Sequence, residues 1–287
     1  MGADDAIDQY RVAVAVGNPD HAEQLVRTAV DVARDRDGEV FVVGVRVTPS
    51  ESPFTMFTDE VIAREFAGER RAVLDRSMSV ASGTGVPVSG KLFVAPSVAR
   101  GVLHAVRERD SDCLVVGWRE RDGGSPVLGN EVDRIVRRGD CDVLVEKIGA
   151  VANGVDAVLL PVADSPHAEL AARVTRAIAA SNDARVDLLR VVDPPDDESA
   201  ARDLLATTAD SLSGVAVESE VRVGDPADEI VAASRERDVT VLGATRTGPI
   251  RRRVVGSVPR AVGRRAEGTV IMARAGGGSM LSRVFRL

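Results

Sequence analysis

One sequence unit occurs twice in this chain, and that duplication limits what the chain can fold into more than any other feature. Arg11-Val-Ala-Val-Ala-Val16 opens the first copy and Ala157-Val-Leu-Leu-Pro-Val162 the second. A turn follows each, then the same tripeptide, His21-Ala22-Glu23 and His167-Ala168-Glu169. Arg107-Glu-Arg-Asp110 leads into Cys113-Leu-Val-Val-Gly117, and Arg235-Glu-Arg-Asp238 leads into Thr240-Val-Leu-Gly243. Both copies close alike, with Arg137-Arg138 before Val143–Glu146 and Arg264-Arg265 before Val270–Ala273. A chain of 287 residues gives each copy enough length to bury its own core. The boundaries expected are residues 1–149, 150–275, and a flexible amphipathic tail from 276 to 287.

Within each copy, apolar strands alternate with amphipathic helices. In the second, strands are expected at Ala157–Val162, Arg185–Val192, Ala216–Val223, Thr240–Gly243 and Thr269–Ala273. Helices are expected at His167–Ser181, Asp197–Leu212, Pro226–Asp238 and Ser257–Arg265. The first copy matches, with a longer loop near Thr48–Asp59. Strands too uniformly apolar for alternation imply parallel sheets covered on both faces. With right-handed crossovers the fold class is α/β, two tandem doubly wound Rossmann-like domains. Ligands bind such sheets at the carboxyl ends of the strands, where the strand order switches.

Composition narrows the functions. The net charge of −7 argues against nucleic acid as the partner. Only Lys91 and Lys147 are lysines among 37 basic residues; the arginine excess fits either adaptation to high salt or GC-rich codons. The apolar runs are strand-length, too short to span a bilayer. Met1-Gly-Ala-Asp-Asp5 has neither the basic start nor the apolar stretch of a secretory signal, and a cytoplasmic location is expected. Cys113 and Cys141 lie in or beside apolar strands and read as buried, inert thiols.

The richest region is the end of the second copy. Gly243 ends a strand, and Gly256-Ser257-Val258 opens a helix. Glycine lets an anion approach the backbone, Ser257 can donate from its hydroxyl, and the free N–H groups of the helix start add the rest. From Gly243 to Arg274 eight arginines stand against the single acid Glu267. The same residues suit a second reading, with Gly256 a tight turn and Ser257 a helix N-cap. In the first copy Gly117 is followed by Gly129-Asn130-Glu131, and Glu131 puts a carboxylate on the helix start, where it competes with phosphate.

Gly243-x2-Arg246-x9-Gly256-Ser257 resembles the universal stress protein signature Gly-x2-Gly-x9-Gly-Ser/Thr, with which that family holds ATP phosphates. Leu160-Pro-Val-Ala-Asp-Ser-Pro-His-Ala168 is similar to the end of that family's first strand. The likeness covers roughly residues 10–148 and 155–274, and tandem proteins of this kind occur among salt-loving archaea, alone or fused behind membrane transporters. It implies ATP or a related adenine nucleotide bound in the second copy by Val162, Ala163, Asp164, Val192, Gly243, Arg246, Gly256, Ser257 and Val258. Ala163 stands where the family has an aspartate, with Asp164 one place later, and Arg246 stands for the second glycine. The corresponding first-copy residues, Gly17, Gly117, Gly129 and Asn130, form a degenerate site, with Glu120 at the second glycine and a spacing one residue short.

Other polar residues carry less. His21 and His167 sit at matching helix starts without further ligands at metal spacing, and His104 stands alone in a helix. No nucleophile–base set recurs in both copies, so no catalytic residue is assigned. Three functions remain: a nucleotide-responsive regulatory module, a nucleotide-free interaction subunit for a membrane transporter or other partner, and a slow ATPase. The resemblance implies that the closing strands Asp142–Glu146 and Thr269–Ala273 pair, since that family commonly dimerises through its last strand and pairing removes an open edge, giving an intramolecular pseudo-dimer with a further homodimer open. Met280-Leu-Ser-Arg-Val-Phe-Arg-Leu287 as a helix gathers its apolar residues on one side, suiting a membrane surface, a partner groove, or a cap on its own domain.

Overall fold

A computed structural model of the chain describes residues 9–48, 68–118, 130–147, 154–193, 198–244 and 256–276. The chain divides into two compact units, Met1–Val115 and Val116–Leu287. The first holds β1 (Arg11–Val16), α1 (Pro19–Arg34), β2 (Glu39–Val47), α2 (Glu69–Ala81), β3 (Val88–Ala95) and α3 (Val98–Glu108). β4 (Cys113–Trp118) crosses the division. The strand order is β3-β2-β1-β4, with β1 parallel to β2 and β2 to β3. Val12, Ala13 and Val14 of β1 are all fully buried, as a strand covered on both faces requires. The longer loop lies outside the described residues.

The second unit holds α4 (Asn130–Arg138), β5 (Asp142–Lys147), β6 (Ala157–Pro161), α5 (Pro166–Asn182), β7 (Arg185–Val192) and α6 (Glu198–Ser211). It continues with β8 (Val217–Val223), α7 (Pro226–Ser234), β9 (Val239–Gly243), α8 (Ser257–Arg265) and β10 (Thr269–Arg274). The order is β5-β10-β9-β6-β7-β8. β6 runs parallel to β7 and β9, β7 to β8, and β9 to β10. β5 and β10 run antiparallel, with Met272 opposite Val145, and this is the pairing expected of the two closing strands. The chain leaves β6 toward β7 and β8, then returns to β9 on its other side, so the order switches between β6 and β9.

Three local findings refine the sequence reading. Asp112, rather than Asp110, is the counterpart of Asp238. Asp112 accepts the Arg11 N–H at 2.8 Å and donates its own N–H to the Arg11 carbonyl at 2.9 Å. Asp238 accepts from the Ala157 N–H at 3.0 Å and donates to the Ala157 carbonyl at 3.1 Å. Secondly, β8 is largely exposed, because it ends the sheet. Thirdly, Gly276 is fixed rather than loose. Its N–H donates to Asp142 Oδ1 at 2.8 Å, and a Cβ there would stand 2.7 Å from the Cys141 carbonyl carbon. Arg274 reinforces this closure by donating to the carbonyls of Cys141 and Gly139 at 3.0 and 2.6 Å. The remainder of the tail, residues 277–287, lies outside the described residues. Both cysteines are buried and outside any disulfide among the described residues.

Candidate functional site

At the carboxyl ends of β6, β7 and β9, beside the strand-order switch, lies a cavity of about 180 Å³. Its walls are mostly apolar: Val162, Leu189, Val191, Leu242, Pro226, Ile230, Val258 and Pro259. Three helices begin against it, and their starts differ. α5 is capped by Ser165, whose Oγ accepts the Ala168 N–H at 3.1 Å, with Pro166 in the first turn. α7 is capped by Asp225, whose carboxylate accepts the Asp228 N–H at 2.9 Å, with Pro226 in the first turn. α8 begins at Gly256 with no side-chain cap and no acid in its first turn. Among the described residues its first N–H groups therefore lack the side-chain acceptor that the other two starts possess.

The N-cap of α8 is thus Gly256, and Ser257 is the first helical residue, so the alternative of a Ser257 cap does not hold. Val258 and Pro259, one residue further along, line the cavity. Arg264 and Arg265 in the last turn complement the helix dipole, and Arg265 pairs with Asp228 of α7 at 2.7 Å.

Of the residues singled out by sequence, Val162, Ala163, Gly243 and Val258 line this cavity, and Gly256 and Ser257 immediately precede Val258. Asp164 is exposed and does not line it. Val192 is buried, and its neighbour Val191 takes the place at the wall. Arg246 lies outside the described residues. Gly243 has a packing cause: a Cβ would stand 2.8 Å from both the His167 carbonyl carbon and the Ala168 nitrogen, so α5 can begin against β9 only with glycine there. His167 is structural, its Nδ1 accepting the Ala275 N–H at 3.0 Å.

Sequence reasoning did not pick out Ser165, Arg190, Pro226 and Ile230. The helix start at Pro226 is legible, since a capping acid before proline marks it, but its place at this wall depends on the strand order of the sheet. Arg190 donates from Nη1 to the Val162 carbonyl at 3.1 Å, while its buried Nε has no hydrogen-bond partner among the described residues.

The first-copy residues stand in different surroundings. Gly17 is exposed just after β1, Gly117 lies within β4, and Asn130 is the exposed first residue of α4; Gly129 is outside the described residues. The first turn of α4 carries Glu131 and Asp133. Burial holds the Asp133 carboxyl above the usual aspartate range, against the pull of Arg137 and Arg260. Among the described residues no group of histidines, cysteines and acids is placed to hold a metal ion, and no helix is long and apolar enough to cross a membrane.

The second unit is thus a doubly wound α/β unit whose apolar cavity lies at the strand-order switch, the place where sheets of this kind take ligands. The sequence profile of the universal stress protein family matches residues 10–147 and 154–274, and the chain belongs to that family. A universal stress protein from Archaeoglobus fulgidus DSM 4304 has a similar solved structure, with a TM-score of 0.67 at 17% identity over 93% of this chain and 97% of that one. The cytoplasmic domain of a prokaryotic cation chloride cotransporter is similar at a TM-score of 0.63 and 13% identity, covering 94% of this chain and 96% of that one. By sequence the chain is similar to the Na(+)/H(+) antiporter NhaS5 of Synechocystis, 23% identical over 185 residues. That match takes in 63% of this chain and only 26% of the antiporter.

Proposed function

We propose that the second copy binds an adenine nucleotide of the ATP type and that the chain acts by binding, as a regulatory module, without significant turnover. The observation that carries this is the pairing of an apolar cavity with the uncapped start of α8. At about 180 Å³ the cavity suits a flat apolar base rather than a whole nucleotide. Pockets that enclose drug-sized ligands run from roughly 300 to 1,000 Å³. The ribose and phosphates then lie outside, over Gly256 and Ser257, where free N–H groups meet the anion. Arg190 offers a second recognition group, since a buried orphan donor costs ~1–3 kcal/mol until an acceptor reaches it. The first turn of α4 carries two carboxylates where that of α8 carries none, which supports the second copy as the binding one.

A calorimetric titration with ATP tests this. Ser257→Glu places a carboxylate at the first helical position, where it suits the helix dipole but opposes phosphate. Like-charge opposition costs several kcal/mol, so affinity should fall by roughly a hundredfold or more while the fold is kept. Undiminished affinity would dispose of the site.

The second reading is an interaction subunit working with a membrane transporter, at the cytoplasmic face and peripheral to the membrane. It is supported by the likeness to part of an antiporter and to a cotransporter's cytoplasmic domain. In that reading the tail from residue 277 onward supplies the docking element. Capture of a transporter partner with no effect of added nucleotide would favour it.

A further inference from the structure

We infer that the outer edge of β8 is a self-association surface, and that its partner is β8 of a second copy of this chain, antiparallel and centred on Val221. β8 ends the strand order of its unit, with β7 along its inner edge. Glu218, Ser219 and Glu220 are exposed, and Val223 is 50% exposed, one of few large apolar residues so placed among those described. An edge of this kind is a template for another strand unless its side chains forbid it.

The backbone decides which residues can pair. Val186 donates its N–H to the Ala216 carbonyl at 2.8 Å, and Gly224 donates to the Val192 carbonyl at 3.1 Å. Even-numbered residues of β8 therefore face β7, and Val217, Ser219, Val221 and Val223 turn their N–H and C=O groups outward. A two-fold axis through any one residue of the strand sets odd residues opposite odd ones, as an antiparallel ladder requires.

Charge then selects among those axes. Glu220 and Arg222 share a face, joined by two hydrogen bonds of 2.9 Å, with Glu229 at 3.6 Å from Arg222. Centring on Ser219 opposes Glu218 to Glu220; centring on Glu220 opposes it to itself; centring on Arg222 opposes two arginines. Centring on Val221 sets each Glu220 opposite the other copy's Arg222 and opposes no like charges. The carboxylates and guanidiniums then alternate around a closed four-membered arrangement. On the other face Val221 meets Val221, and the exposed Val223 lies beside Ser219. Among the axes from Ser219 to Arg222, which overlap most of the strand, the charges that keep arbitrary strands off this edge thus admit one register with a copy of itself.

Sedimentation velocity over a range of concentrations at moderate salt tests the surface. The weight-average mass should rise from the 30.3 kDa of one chain toward twice that value and stop there. Glu220→Arg alone and Arg222→Glu alone each set like charges opposite one another, and each should self-associate roughly tenfold more weakly. Mixed in equal amounts, the two single variants complement each other, and association should return. The double variant Glu220→Arg/Arg222→Glu, complementary to itself, should match the wild type and shows that these positions tolerate the exchange. Wild-type chain that stays at the mass of one copy would overturn the proposal. So would single variants that associate as strongly as wild type, or masses growing past two copies, which would mean β8 meets a different edge.

Discussion

Gly243 shows how a residue can sit in a recognised motif for a reason the motif does not state. Its spacing to Gly256 suggests phosphate, yet in the structure its missing side chain makes room for the start of α5, with His167 and Ala168 backbone atoms 2.8 Å from where a Cβ would be. Backbone atoms cannot swing aside as a flexible side chain can. Gly243→Ala should therefore lower stability by ~1–3 kcal/mol, the usual cost of overpacking, visible as a lower melting temperature. Asp133 makes a second test at this scale. Burial favours its protonated form in the folded state, so its folded pKa lies above the unfolded one. The folded state then binds the proton more tightly, and Asp133 lowers stability as pH rises through that range. Asp133→Asn should raise stability at neutral pH and lose this advantage below the unfolded pKa of about 3.9. Denaturant melts at the two pH values read the difference. Val191 rather than Val192 faces the cavity, and sequence could not choose between them. In a strand covered on both faces, neighbouring valines look alike.

Elements were legible wherever local chemistry marked both ends. Arg185–Val192 and Ser257–Arg265 stand where the pattern places them. α7 stops at Ser234, short of the expected Asp238, because no glycine or proline marks its end and the following residues turn into β9. Exposure of β8 could not be read locally, since edge position depends on the order of the whole sheet. The most informative element is α8. Its first turn lines the cavity, and its Gly263 faces Trp118 of β4, where a Cβ would stand 2.8 Å from Trp118 Cζ3. Trp118 is the chain's one tryptophan, so the emission comes from a single ring that stands against α8. Gly263→Ala should displace the ring, changing the emission spectrum and lowering the melting temperature. In the wild type, saturating ATP should also change that emission, and Ser257→Glu should remove the response.

At the scale of the molecule, duplication was written plainly in sequence, whereas the pairing of closing strands was implied by the family resemblance. β5 and β10 meet antiparallel, and Arg274, Ala275 and Gly276 are tied by hydrogen bonds to residues of both copies. Less legible was how sequence copies map onto compact units. The division falls at Val115, because the closing strand of the first copy pairs with that of the second. What lies beyond residue 276 is tested by deletion. Removing Ser279–Leu287 should leave the melting temperature unchanged and abolish binding to anionic vesicles if the tail docks, whereas a lower melting temperature with binding intact would make it a structural cap.

The binding proposed is of one adenine nucleotide per chain, in the second copy. Native mass spectrometry of the purified chain with added ATP counts it directly. A single nucleotide is expected on the 30.3 kDa chain, absent from Ser257→Glu and retained when Asn130→Glu adds a further carboxylate to the start of α4. No bound nucleotide, two per chain, or one that disappears with Asn130→Glu and survives Ser257→Glu, would contradict it.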